Sequence, residues 1–414
     1  MRILMACEDI PHPHLGGLGK HVLALSQALA ERGHQVDILG NGIHPIGALA
    51  EQAGPGKFFG EIVGHERLWK QRQLGLFHWP AQRLNARGLL KPLLERAAAY
   101  DLVHYHGHMP WLAAAVPDHV AFIQTRHDQG GDCMLKTRYS RVGELCKTVD
   151  ARACASCATA NPNLLQRNIS TAAVDTMRRE TETGYERHPV VFVSDFLRQG
   201  FARAVGRDVQ GTVIHNAVDT RKLAQAKAGG EERPAMAALR LFSAGAMFPY
   251  KGYRQLLEAL SALPESAQPF QLKIAGSGPQ EAQLRERYAS AQVEFLGWSS
   301  YEQVLAQVLA ADAVLVPSVC EEPCATTILE ALALGKTVYA LRNGGTPEML
   351  PHAQSAGGRL VLADSMAELA RNALAHQSSA PVTLLQPSDF TIGIAQMTDA
   401  LEAQYRQIIE NKRA

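Results

Sequence analysis

Two glutamates eight positions apart, Glu322 and Glu330, stand in the stretch SVCEEPCATTILEA, Ser318 to Ala331. An apolar run, AVLVP, precedes them, and a helical pattern follows. The order reads as a strand, a loop carrying Glu321 and Glu322, and a helix beginning near Ala325 to Thr327. The first turn of a helix presents unpaired N–H groups and the positive end of its dipole, which suits a phosphate. A phosphate held by the N–H groups of Thr326 and Thr327 would put Glu322 beside whatever that phosphate carries. Glu330, a turn further in, could then accept from a pair of ribose hydroxyls. The spacing fits a nucleotide with a sugar appendage, and it equally fits acids placed to complement a helix dipole.

Other residues offer different chemistry. DLVHYHGHMPW sets His104, His106 and His108 at alternate positions, which share one face of a strand. Three such imidazoles could hold a metal. A strand ending about Tyr105 would leave His108 in a loop and His104 as a satisfied core residue. His127, in QTRHD, ends the next strand. Cys133, Cys146, Cys154 and Cys157 fall within one 25-residue stretch, the last two as C-x-x-C. Four soft thiolates suit a closed, structural zinc site; the alternatives are four reduced thiols or a reversible disulfide. The glycine-rich turn HLGGLGKH, His14 to His21, lets backbone N–H groups approach a phosphate, with Gly17 and Lys20 the candidate contacts. It is not a G-x-G-x-x-G turn. Asp37 ends the second strand, as in a dinucleotide site, but that reading leaves the second half of the chain unexplained. Between Lys57 and Tyr100, eight Lys or Arg and three Glu mix with Trp, Phe and Leu. That mixture reads as an interfacial helix, an anionic-acceptor surface or an ordinary amphipathic face.

The elements that position these residues repeat one theme. RILMAC, QVDIL, DLVHYH, VAFIQTRH and VVFVS read as strands, and GGLGKHVLALSQALAERGH reads as a helix closed by Gly33. After GTVIHNAVDT the polar segment KLAQAKAGGEERPAMAA reads as an interdomain linker. A second series follows: LRLFSAG, FQLKIAG, VEFLGW, AVLVPS and TVYALR, each separated by a helix. Alternation of this kind predicts two α/β domains with doubly wound parallel sheets. The expected divisions are 1–219, with a Cys-bearing insert about 129–168, then 220–385, then a C-terminal helix in 386–414 packing back on the first domain. Ligands bind at the C-terminal ends of such strands, so a cleft between the two sets of ends is expected.

Composition agrees with a globular protein. The chain has 414 residues, 46% apolar and 20% charged. That length favours two domains over one core. No apolar run reaches membrane-spanning length, and the start lacks the pattern of a signal peptide, so a cytoplasmic protein is expected. A net charge of +1 gives no general argument for nucleic acid. Seven cysteines in such a chain suggest thiols or a metal site more than a disulfide framework.

The ordered motifs resemble retaining glycosyltransferase family 4. Glu322 and Glu330 followed by ALALGKTVYAL and GGTPE match its pattern, as do FSAGAMFPYKGYRQLLEAL, LKIAGSGP, VEFLGW and ADAVLVPSVCEEP in family order. GGLGKHVLALSQALAERGHQVDIL, DLVHYHGH, VSDFLRQGF and VIHNAVD match in the first half, so the resemblance spans nearly the whole chain. It implies the GT-B architecture, two Rossmann-like domains facing a cleft, and a nucleotide-sugar donor held mainly by the second. In that scheme Gly297 and Trp298 lie by the base, and Glu330 holds the ribose. Lys251 neutralises the diphosphate, while Thr326 and Thr327 donate N–H groups to it. Glu322 binds the donor sugar and steadies charge at its anomeric carbon. Gly17 and Lys20 reach the diphosphate from the first domain. His106 sits by the transferred sugar and His127 on the acceptor side. A subgroup of the family carries a similar Cys-bearing insert.

The resemblance further implies a hexose or N-acetylhexosamine, from UDP or GDP, transferred to a cell-surface glycan or lipid-linked acceptor at the inner membrane face. No cofactor is required for that reaction. The rival readings are a nucleotide-sugar epimerase of the same fold and a non-catalytic binding module. Two departures stand out. Ala246 occupies the place of a family Arg that grips the diphosphate, leaving Arg254, Arg342 or Lys20 to substitute. Pro323-Cys324-Ala325 replaces a Gly-Phe-Gly, so Cys324 and Ala325 are where donor choice would be set.

Overall fold

The computed structural model describes residues 1–63, 79–140, 143–158, 163–228, 238–264, 268–377 and 391–413. It divides into two units, Met1–Asn216 with Ile394–Ala414, and Ala217–Gly393.

The first unit is built on seven strands: β1 (Arg2–Ala6), β2 (Gln35–Asn41), β3 (Phe58–Ile62), β4 (Leu102–His106), β5 (Phe122–Arg126), β6 (Val190–Phe192) and β7 (Thr212–Val213). All pair in parallel, in the order β3-β2-β1-β4-β5-β6-β7. Ile3, Leu4, Met5 and Ala6 are wholly buried, as a central parallel strand covered on both faces requires. The connections run out one way from β1 and then the other from β4. The sheet therefore has its topological switch point between β1 and β4, where open α/β sheets bind ligands. The helix Gly17–Glu31 buries Val22, Leu25 and Leu29 at helical spacing, and the positive φ of Gly33 follows its end.

The C-terminal helix Ile394–Arg413 belongs to this unit and contacts the helix Gly17–Glu31. Ile394, Met397, Leu401, Tyr405, Ile408 and Ile409 are its buried stripe, each contributing about 1.5–3 kcal/mol of apolar burial. Polar ties fix its register. Arg32 meets Asp399 at 2.5 Å, His34 meets Glu402 at 3.1 Å, and the Tyr405 hydroxyl reaches His104 Nδ1 at 2.6 Å.

The second unit has six parallel strands: β8 (Leu239–Ala244), β9 (Phe270–Ala275), β10 (Val293–Gly297), β11 (Ala313–Val316), β12 (Thr337–Leu341) and β13 (Arg359–Ala363). Their order is β10-β9-β8-β11-β12-β13, so the switch point lies between β8 and β11. Leu241, Leu272, Ile274, Ala313 and Leu315 share a core with Leu256, Leu257 and Leu260 of the helix Tyr253–Ser261.

Several expectations need correction. The segment expected as a linker opens instead as the helix Thr220–Ala228 of the second unit, and 229–237 lie outside the described residues. KLAQAKA is rich in helix formers, and Leu223 is buried. The division between units falls after Asn216, not after Asp219. In the basic segment, 64–78 lie outside the described residues. Further along it, Ala86, Leu89, Leu93 and Ala97 of the helix Trp79–Ala97 are buried in the core of the first unit. Among the described residues no helix is long and apolar enough to cross a membrane.

Candidate active-site residues on the two units

In the second unit the chain leaves β8 through Gly245 and Ala246, makes a short 3₁₀ turn at Pro249–Lys251, and enters the helix Tyr253–Ser261. Gly252 joins turn to helix with φ of 76°, and a Cβ there would lie 1.9 Å from the carbonyl oxygen of Pro317. Only glycine allows so close a crossing of the turn over the end of β11. The crossing is closed by two hydrogen bonds, with the N–H groups of Val319 and Cys320 each donating to the Tyr250 carbonyl at 3.0 Å.

That crossing brings Lys251 Nζ to 2.5 Å from Glu322 Oε1. Ser318 Oγ donates to the same carboxylate oxygen at 2.7 Å, and Cys320 Sγ lies at 3.8 Å. Burial works against the charge on Glu322, but Lys251 and these donors outweigh it and lower the carboxyl pKa. Lys251 shows the mirror image: burial disfavours its ammonium, and Glu322 more than restores it. The backbone of Glu322 is gripped as well. Gly345 N–H donates to its carbonyl at 2.8 Å, and Gly344, with φ of 55°, has no room for a Cβ, which would lie 2.5 Å from that oxygen.

The helix Thr326–Ala333 starts after Ala325, whose methyl side chain cannot cap its first-turn N–H groups. Thr326, Thr327, Ala325 and Glu330 are all half-buried. Glu330 accepts a hydrogen bond from the Tyr301 hydroxyl, which burial and this carboxylate keep protonated far above the ordinary range. Gly297 turns the chain with φ of 73°, and the next residue, Trp298, is 54% exposed beside the end of β10.

In the first unit, His106 ends β4 and His127 follows β5. His106 Nδ1 and His127 Nε2 lie 3.0 Å apart. His21, on the helix after the glycine-rich turn, completes a trio whose ring nitrogens lie within 4.8 Å of one another. The Nε2 atoms of His21 and His106 are buried without a hydrogen-bond partner. Burial lowers the pKa of all three, that of His21 to about 4, so the trio is neutral at pH 7. His108 differs. It sits between Asp128 at 2.9 Å and Asp9 at 3.0 Å. Burial and Lys136 oppose its charge, but the two carboxylates prevail and raise its pKa. Arg126, fully buried, pairs with Asp128 at 3.0 Å and donates to the Gly107 carbonyl at 2.7 Å. Gly17 and Lys20 are exposed on the first turn of the helix Gly17–Glu31.

The structure also places the other sequence candidates. His104, His106 and His108 do not gather as three metal ligands. His104 uses both ring nitrogens, on Tyr405 and on Thr125 Oγ1 at 2.8 Å, and His108 turns to Asp9 and Asp128. Cys324 is buried with its thiol 3.8 Å from Met349 Sδ, so its side chain packs inward. Arg342 pairs with Asp364 at 3.0 Å. Cys133, Cys146, Cys154 and Cys157 all line one cavity and form no disulfide. Sequence reasoning overlooked His21, which ends the quoted glycine-rich turn, and Tyr301, which no spacing rule links to Glu330.

Two doubly wound sheets, each with charged or imidazole groups at its switch point, define a two-domain α/β protein built for a ligand at strand C-termini. Comparison with known proteins gives the particular family. Residues 15–222 match the model of Glycosyltransferase Family 4, and residues 231–375 match that of Glycosyl transferases group 1. The chain belongs to Glycosyltransferase Family 4 and is a glycosyltransferase of the GT-B fold. It is 26% identical over 380 residues to a glycogen synthase of Mycobacterium tuberculosis, covering 86% of this chain and 81% of that one. Over 195 residues it is 31% identical to a phosphatidyl-myo-inositol mannosyltransferase of Mycobacterium leprae, covering 44% and 50%. The crystal structure of Anabaena HepE in complex with UDP-glucose superposes with a TM-score of 0.56 at 18% identity, covering 100% of this chain and 98% of that one. At that identity the likeness is one of fold.

Proposed function

We propose that the protein transfers a hexose or N-acetylhexosamine from a nucleotide-sugar, with UDP the leading nucleotide, to a cell-surface glycan or lipid-linked acceptor, retaining anomeric configuration. The observation that carries this reading is the Lys251–Glu322 pair at the β8–β11 switch point, beside the first turn of Thr326–Ala333. A diphosphate placed there meets a cation and the N–H groups of Thr326 and Thr327. Glu322 lies beside the sugar it carries, and Glu330 takes the ribose hydroxyls. Trp298 offers its exposed ring to the base next to Gly297. The HepE crystal structure contains UDP-glucose, which supports UDP as the nucleotide.

In the reaction the acceptor oxygen bonds to the anomeric carbon as the bond from that carbon to the phosphate oxygen breaks. The acceptor proton passes to the leaving phosphate, on the same face. Glu322 stabilises the positive charge that develops between these events. For the first unit the roles are those the family resemblance implies: His106 and His127 toward sugar hydroxyls, Gly17 and Lys20 toward phosphate. No metal takes part in the chemistry. A lipid-linked acceptor would bring the protein to the cytoplasmic face of a membrane.

Thermal-shift measurements against UDP, GDP, ADP and their sugars identify the donor. Glu322→Ala is expected to lower kcat about 10²–10³-fold while leaving UDP binding measurable. Lys251→Ala is expected to weaken binding of the nucleotide itself. Survival of both transfer and nucleotide-sugar binding in Glu322→Ala would overturn the site.

A further inference from the structure

We propose that Cys133, Cys146, Cys154 and Cys157 bind one zinc ion in a closed, structural tetrahedral site of the first unit. Four cysteines from three separate pieces of chain line a single cavity of about 130 Å³. Cys133 follows β5 in a loop. An antiparallel bridge, Tyr139 to Leu145, folds the chain back and delivers Cys146. The helix Ala151–Ala158 then presents Cys154 and Cys157, one turn apart on one face. Asp150 starts that helix, its carboxylate accepting from Ala153 N–H at 2.8 Å. All four thiols are free.

The surroundings fit an anionic metal–thiolate group. Arg178 Nη2 lies 3.3 Å from Cys154 Sγ and also donates to the Asp132 carbonyl at 3.1 Å. Its Nη1 donates to the Val149 carbonyl at 2.5 Å. One buried guanidinium therefore ties both ends of the cysteine-bearing loop while facing a sulfur. A second cation, Arg138, pairs with Asp132 at 3.1 Å, and both line the same cavity. The loop needs such a tie. Among the described residues the local core beneath it is small: Cys154, Ala155, Ala173, Val174 and Met177, with Trp111, Met134 and Ala151 packed against it.

A ZnS₄ tetrahedron with Zn–S of about 2.3 Å sets its sulfurs about 3.8 Å apart. Among the described residues, the one group of three or more metal-ligating side chains within 4.8 Å is the histidine trio, so the thiols surround their cavity without closing on it. Zinc draws them inward, displaces up to four protons to solvent, and orders the loop. The histidine trio competes for the same assignment, and one experiment separates the two.

Full-length protein purified without chelator should carry about one zinc per chain by elemental analysis. The Cys154→Ser/Cys157→Ser variant should lose it, and His127→Asn should keep it. Titrating wild-type thiols with a mercurial should release the zinc in step with four reacting cysteines, a reading that stands even where the serine variant does not fold. Hydrogen exchange of 133–158 should speed up on zinc removal. Metal-free wild type that takes up no added zinc would overturn the proposal. So would zinc lost with His127→Asn and kept by the serine variant, iron in place of zinc, or an intact mass showing disulfides. None of these outcomes depends on the identity of the sugar donor.

Discussion

Tyr301 is hydrogen-bonded to Glu330, the carboxylate proposed to take the ribose. Its hydroxyl donates to the carboxylate from the first position of the helix Tyr301–Ala310, with Lys222 Nζ 5.3 Å from the ring centroid. One such hydrogen bond is worth about 0.5–1.5 kcal/mol, roughly 2–12-fold in an equilibrium constant. Tyr301→Phe is therefore expected to raise the donor KM several-fold with kcat little changed. Steady-state kinetics with the identified donor checks this, and an unchanged KM would mean that Glu330 is held as well without it. The two glutamates were legible in the sequence because strand, loop and helix signals bracket them. Tyr301 was not, because it comes from a neighbouring crossover connection. Cys324 is the opposite case. Its place in a family motif suggested a donor contact, and the sequence did not show that its thiol lies against Met349. Sequence spacing in an irregular loop carries no information on which way a side chain points.

β4 and the turn after it carry histidines of opposite protonation behaviour. Burial holds His104, His106, His127 and His21 below the ordinary imidazole pKa of 6.5, His21 at about 4. Groups of this kind bind fewer protons folded than unfolded, so the stability they confer is present above about 6.5 and lost as pH falls towards 4. His108 has the opposite sign: raised by Asp9 and Asp128, it stabilises below 6.5 and loses that contribution as pH rises through its folded value. Four neutral imidazoles outweigh one charged one. The melting temperature of the first unit should drop between pH 7 and pH 5, and a flat profile across that interval would contradict the burial of the trio. The alternation H-x-H-x-H was readable, and so was a satisfied His104. The partners were not, because Thr125 and Tyr405 lie 21 and 301 residues away.

At the scale of the molecule, the two parallel series were readable from their runs of apolar strands. β3, β7 and β13 were not: β3, FFGEI, buries only Ile62, β7 is two residues long, and β13 closes the sheet edge with Arg359 exposed and Val361 and Leu362 half-buried. The helix Thr220–Ala228 was hidden by the glycines that follow it. The C-terminal helix carries the largest expectation. Removing 394–414 strips six buried apolar side chains from the first unit, each worth about 1.5–3 kcal/mol, against a usual domain stability of about 5–15 kcal/mol. It also unpairs His104 Nδ1. A chain ending at 393 should show no cooperative melt of its first unit, and its 1–216 region should be cut rapidly by protease. A native-like melt would mean that the helix is an accessory.

The same helix sets an order of events during synthesis. The first unit is complete only when Ile394–Arg413 has emerged, after the whole of Ala217–Gly393. At roughly 5–20 residues per second, its helix-docking face waits on the ribosome for on the order of ten seconds or more. The part made first is therefore finished last, and in a growing cell the second unit folds while the first still needs protection from aggregation.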